Sequence, residues 1–206
     1  MPAPVLSELV VPSTTAIVTS EVQNSVVGSR SVLPELAASA ASALVNIARL
    51  ATAGRAAGVR VVHCTAERRP DGAGSNRNAR LFHAVGKSEV SMAPGSGASD
   101  VVDEIGVDDR DIVLSRLHGL SPFAGTSLDA VLRNLGVTTI VATGVSVNIA
   151  ITNLAFDAVN AGYTVVIPRD AVAGVPESYA SDIIRNTLAL VATITTTDDV
   201  IAAWSS

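Results

Sequence analysis

The sequence predicts an α/β fold, an open parallel sheet covered by helices, and three observations carry that prediction. Short β-branched runs alternate with longer Ala- and Leu-rich stretches, the pattern of repeated β-α units. Hydrophobic residues make up 48% of the chain but aromatic ones only 3%, so the core has to be built from Ala, Val, Ile and Leu, as in sheets buried on both faces. A chain of 206 residues is long enough for one well-cored domain and short for two, so residues 1–206 are read as a single domain.

The first strand is "TTAIVTS" (14–20). The helix after it lies in "LPELAASAASALVNIARLATAGRAAG": Pro34 suits a first turn, Leu36, Leu44, Ile47 and Leu50 fall near helical spacing, and Gly58 is the stop. "VRVVHCT" (59–65) is the second strand. Residues 66–98 then break the rhythm, being rich in Gly, Ser, Asn and Arg with little periodicity. A connection that long in a compact domain is usually a functional lid or a mobile segment. "DIVLS" (111–115), "TTIVAT" (138–143), "TVVIP" (164–168) and "VATITT" (191–196) complete six strands. Helices fit 126–135, 148–161 and 177–189, with a short one near 198–204.

Composition excludes several classes of function. The formal charge of −5 comes with dispersed Arg and Lys and no basic run, so the electrostatic footprint of a nucleic-acid binder is missing. A small-molecule partner is expected instead. The single cysteine, Cys64, rules out an internal disulfide and a cysteine-rich zinc site. His63, His83 and His118 show no metal-ligand spacing, so neither a metal nor a cofactor is expected. The N-terminus has no basic region followed by an apolar one, and no apolar run approaches the ~18 residues of a membrane span. A cytoplasmic protein with no membrane partner is the expectation.

In an open parallel sheet, ligands bind outside the carboxyl ends of the strands. The residues there are Glu21 with Gln23 and Asn24, Glu67 with Arg68 and Arg69, Arg116 with His118, Gly144 to Ala150, and Arg169 with Asp170. Glu21 has two readings of equal weight, a proton-trading acid or base and a structural carboxylate that caps a turn or pairs with Arg116. Arg116 stays protonated, so it serves as a planar fork for a carboxylate or a developing oxyanion, or as a structural partner of Glu21. His118, in a loop, reads more readily as a surface or packing residue. "TGVSVNIA" (143–150) sets a tight turn before a helix whose first N–H groups can face negative charge. Cys64 reads as a buried structural thiol. The arginines at 68, 69, 77 and 80 either bind an anionic substrate or keep the loop solvated, and the solvated reading is favoured.

Three segments, "AIVTSEVQNSVVG", "DIVLSRLHGLSPFAGTSLDAVLRNLGVTTIVATGVSVN" and "FDAVNAGYTVVIPRDAVAG", together resemble the isochorismatase-like hydrolase superfamily, which includes nicotinamidases, N-carbamoylsarcosine amidases and isochorismatases. The likeness runs from about residue 14 to 196, and the central block is specific in combination. It implies a three-layer α/β/α fold with a six-stranded, mostly parallel sheet in the order 3-2-1-4-5-6. It also implies a homodimer or homotetramer. The family's amidases use an aspartate, a lysine and a cysteine, with a non-proline cis peptide beside the oxyanion site. Matched residue by residue, those positions carry Glu21, Arg116 and Ala150, and the cis peptide falls between Val145 and Ser146.

All three catalytic positions therefore depart from the amidase pattern. Alanine cannot form the amidases' covalent intermediate, and Cys64 lies on another strand. Isochorismatases lack the cysteine and protonate a vinyl ether with the first-strand acid. Two expectations follow. The first is a hydrolase without a cysteine nucleophile, with Glu21 as acid/base, Arg116 as anion or oxyanion partner, and Gln23, His118, Phe123, Val145, Ser146 and Asn148 around the substrate. The second is a catalytically inactive relative acting as a ligand-binding or scaffold protein. An open pocket faced by Glu21 and Arg116 favours the enzyme, whereas one filled by Phe123, His118 or Leu120 favours the scaffold.

Overall fold

The computed structural model of this protein describes residues 5–205. Strands β1 (Thr15–Ser20), β2 (Arg60–Ala66), β3 (Ile112–Arg116), β4 (Thr139–Val145), β5 (Thr164–Pro168), β6 (Val172–Ala173) and β7 (Thr193–Thr195) form one sheet. Its order is β3-β2-β1-β4-β5-β7, and all of its strand pairs are parallel. This is the expected 3-2-1-4-5-6 order, with β7 as the sixth strand and one correction. The two-residue β6 is a seventh strand, pairing with Gly144 and Val145 where β4 runs on past its ladder with β5.

The central strands β1, β2, β4 and β5 are buried on both faces, whereas the edge strand β3 exposes Val113 and Ser115, and the alternation of side chains divides the core in two. Ile17, Val61, Val141 and Val166 face a helical layer made by α2 (Asn24–Val27), α3 (Pro34–Ala57) and α8 (Thr197–Trp204). Val18, Val62, Ile140 and Val165 face α5 (Leu128–Asn134), α6 (Thr152–Asn160) and α7 (Glu177–Asn186). Helix α3 is anchored by Leu36, Leu44, Ile47 and Leu50, the residues whose spacing predicted it, and ends at Gly58 in the left-handed conformation. Ile47 and Leu50 are fully buried, and each such side chain contributes roughly 1.5–3 kcal/mol. By length and composition α3 is apolar enough to cross a membrane, against the expectation that no stretch is, but its apolar face is spent on the sheet. A short α1 (Leu6–Leu9) precedes the first strand, and the Trp204 indole N–H donates to the Val10 carbonyl at 2.8 Å.

Two local differences from the sequence reading concern the site. The 66–98 connection holds a helix, α4 (Arg80–Gly86), whose Leu81, Phe82 and Val85 turn toward the sheet's carboxyl end. The helix expected over 148–161 begins instead with one turn of π-helix, Val147–Ile151, before α6. A third feature lies under the C-terminal end of α3. There the buried Asp111 carboxylate accepts from Arg55 Nη2 at 2.5 Å and lies 3.3 Å from His63 Nε2, while His63 Nδ1 is 2.9 Å from the Thr19 hydroxyl. With Nε2–H donated to Asp111, Nδ1 accepts from Thr19. Burial lowers the His63 pKa below its ordinary range, against the opposing pull of Asp111.

Candidate active site

The carboxyl ends of β1, β2 and β3 and the turn after β4 open onto one cavity of about 140 Å³. Glu21, Arg116, His118, Ser146 and Ala150 all line it, so the sequence-predicted acid, cation and alanine converge on one space. Apolar side chains make most of the remaining wall, among them Val26, Leu33, Leu36, Leu81, Phe82 and Met92. The cavity is open rather than filled: Phe123 packs away from it against Tyr163, with ring centroids 5.8 Å apart, and His118 and Leu120 stand at its wall.

Glu21 follows β1 directly and has φ +55°, a left-handed conformation that costs a glutamate roughly 1–3 kcal/mol and persists only when neighbours enforce it. The enforcement is visible: its N–H donates to the Cys64 carbonyl at 2.8 Å, and its carboxylate accepts from Arg116 Nη2. The ion pair is largely withdrawn from solvent, with side-chain exposures of 19% for Glu21 and 5% for Arg116. Arg116 ends β3 opposite Ala66 in the ladder. Its Nε and Nη1 are buried and have no protein partner, which leaves two guanidinium donors uncommitted. Burying a donor without an acceptor costs about 1–3 kcal/mol, so a ligand oxygen placed there recovers energy the folded chain forgoes.

Gly144, in the left-handed region at φ +103°, sets the distance between the two halves of the site. It pairs with Ser20, and a Cβ at this position would stand 2.3 Å from the Ser20 carbonyl oxygen, so only glycine lets β4 lie this close to β1. The Val145–Ser146 peptide is cis, where the resemblance puts it. The chain then enters the π-helical turn that presents Ala150, buried at 3% exposure. The Ser146 carbonyl accepts from the N–H groups of Ile149 and Ile151, at 3.2 and 3.0 Å.

Four residues expected around the substrate are not brought to the cavity. The Gln23 amide is wholly spent on the protein: Nε2 donates to the Ala66 and Ala98 carbonyls at 2.7 and 3.3 Å and to Ser25 Oγ at 2.8 Å, and Oε1 accepts from the Ala66 N–H at 2.6 Å. Phe123 belongs to the core on the α5–α6 face, and Val145 to the core on the α3 face. Asn148 turns the other way, donating to the Val175 carbonyl at 2.7 Å. Cys64 is buried in β2, and burial pushes its thiol up to about 12, as expected of a structural cysteine. Conversely, Glu67 and Arg68 line the cavity, with Glu67 Oε1 accepting from the Ser99 hydroxyl at 2.9 Å. They follow β2, so the strand-end rule points to them, but nothing in their spacing ranks them above the other strand-end residues. Among the described residues, no group of three His, Cys, Asp or Glu side chains is arranged to hold a metal ion.

The chain's relatives share this architecture. The family model for the isochorismatase domain matches residues 15–199. A cysteine hydrolase from Pseudomonas syringae pv. phaseolicola superimposes with a TM-score of 0.83 at 25% identity, over 100% of this chain and 99% of that one. An isochorismatase family protein from Burkholderia thailandensis gives a TM-score of 0.78 at 29% identity, over 94% and 97% of the two chains. N-carbamoylsarcosine amidase from Thermoplasma acidophilum gives 0.70 at 25% identity, over 90% and 97%. In sequence, an uncharacterized isochorismatase family protein of Bacillus subtilis is 36% identical over 74 residues, a match spanning 36% of this chain and only 39% of that relative's length.

Proposed function

This chain belongs to the isochorismatase family, and from that premise we propose that it hydrolyses a small metabolite without a cysteine nucleophile, with Glu21 as acid/base and Arg116 as oxyanion partner. The observation that carries the reading is the convergence of Glu21 and Arg116, whose buried Nε and Nη1 have no protein partner, on one apolar-walled cavity. With Ala150 in the position of the family cysteine, the attacking group is water. Glu21 is paired as a carboxylate, so it takes a proton from that water as the oxygen adds to the substrate's carbonyl carbon. The carbonyl π electrons move to oxygen, and the free guanidinium donors of Arg116 stabilise the negative charge that develops. Collapse of the adduct breaks the bond to the leaving nitrogen or oxygen, which receives the proton held by Glu21.

The competing reading is a ligand-binding or scaffold relative, and the missing nucleophile favours it. Hydrolysis of small amides, ureides and vinyl ethers, measured side by side on the protein and on Glu21→Gln, separates the two. Turnover that disappears in Glu21→Gln supports the enzyme, and the responding substrate decides C–N against C–O cleavage. Silence from the unaltered protein across the panel, with the same compounds still binding, supports the scaffold. We further propose a cytoplasmic homodimer or homotetramer; light scattering of the purified chain that returns a monomer mass refutes the assembly.

A further inference from the structure

We propose that Arg68 and Arg77 form an anion subsite at the lid side of the cavity, and that the ligand is a small molecule with an apolar body and one carboxylate or phosphate group. The inference deepens the substrate-site reading of the cavity and rests on it. Arg68 lines the cavity and is half-buried. Arg77, exposed on the other arm of the loop and not itself part of the cavity wall, brings its guanidinium to the same glycine as Arg68. A Cβ built on Gly72 would lie 3.0 Å from Arg77 Nη2 and 3.2 Å from Arg68 Nη2, so both guanidinium tips flank a single point above a buried glycine. Arg68 Nη2 also lies 3.3 Å from where a Gly86 Cβ would stand. Two glycines thus make the slot in which the Arg68 fork sits, and any side chain at Gly72 would crowd both cations.

The neighbouring charges sharpen the point. Arg69, between the two in the loop, is satisfied: its Nε and Nη2 donate to Asp71 at 3.0 and 2.8 Å. Glu67, next to Arg68 in sequence, is instead engaged by Ser99. Among the described residues, neither Arg68 nor Arg77 has an ion-pair or hydrogen-bond partner for its guanidinium. Two like charges brought together without a counter-charge repel, and a planar oxyanion accepting from both forks removes that cost. A solvated loop has no reason to gather the tips at one point, and the apolar wall beside them suits the rest of the molecule.

Calorimetric titration with benzoate and phenyl phosphate, and with benzyl alcohol as the neutral analogue, tests the subsite without requiring turnover. The expected result is binding of at least one anion well above benzyl alcohol, weakened about tenfold in Arg77→Ala and at least tenfold in Arg68→Ala, while Arg69→Ala changes nothing. The anion bound more tightly identifies the headgroup, carboxylate or phosphate. Equal affinity of the anions for the unaltered protein and for Arg68→Ala/Arg77→Ala overturns the proposal, and so does an unaltered protein that binds neither anion better than benzyl alcohol. Failure of the hydrolytic reading shows separately, as absent turnover with anion binding intact.

Discussion

Replacing Arg116 by Met and Glu21 by Gln, singly and together, measures how far the pair at the cavity is withdrawn from water. At an ordinary ion-pair spacing of about 3 Å and an effective dielectric of about 20, two unit charges attract by roughly 5 kcal/mol. Side-chain exposures of 5% and 19% place this pair nearer that regime than the surface regime, where a pair is worth about 0–1 kcal/mol. Arg116→Met leaves the Glu21 carboxylate without its cation, and Glu21→Gln leaves the guanidinium with a neutral acceptor. Each is expected to cost about 3 kcal/mol of folding stability, because a largely buried charge loses its partner. The double variant removes both charges and is expected to cost less than either single one, giving a coupling energy of at least about 3 kcal/mol. Urea unfolding followed by circular dichroism supplies all four stabilities, with slopes compared so that changes in the unfolded state are recognised. Single losses that simply add, leaving a coupling below about 0.5 kcal/mol, would refute the reasoning and make the pair a solvent-screened contact.

The other expectations are narrower. Gln23→Ala strands the N–H and carbonyl of Ala66 in one step, while the Ala98 carbonyl keeps the Ser25 N–H, so it is expected to cost about 2–4 kcal/mol in urea unfolding while leaving the cavity lining unaltered; a loss under about 1 kcal/mol would show that water replaces the amide. His63 titrates below 6.5 in the folded chain, so under that pH the unfolded chain binds a proton the folded one refuses. Stability carried by His63 is therefore complete above 6.5 and falls as the pH drops toward the lowered native value. His63→Gln should flatten that fall between pH 7 and 5, and identical profiles for the two proteins count against it. Cys64, with its thiol near 12, should resist iodoacetamide at pH 8 in the native state and react once urea unfolds the chain; rapid native labelling would show the β2 cysteine to be reachable.

The sheet was legible because its central strands are buried on both faces, and β-branched runs bounded by turn residues leave a strong trace. Helix α3 was legible for the same reason on its own period, through Leu36, Leu44, Ile47 and Leu50. The short pieces were not. β6 exists because β4 outruns β5 and needs a partner at Gly144 and Val145, a consequence of tertiary register that no local pattern carries. α4 has only seven residues, too few for its Leu81, Phe82 and Val85 to stand out from a Gly- and Ser-rich surround. Glu21 and Arg116 reach the cavity wall because the strand itself fixes their position. Gln23 and Asn148 do not line it, because an amide a few residues beyond a strand is free to turn toward backbone groups. Which way it turns depends on carbonyls, Ala66 and Ala98 for one and Val175 for the other, that come from distant parts of the chain.

Gln23 also decides how the lid can change over time. One amide grips Ala66 where the chain leaves the sheet and Ala98 where it comes back, so residues 67–97 form a loop whose two feet are held together from below. The entropic cost of closing that loop is met at its base, whatever its contents, and grows only slowly with its length. The segment is thus an exchangeable cassette. Insertions, deletions or new charges within it re-shape the roof over Glu21 and Arg116, while the strands that hold those two residues keep their register.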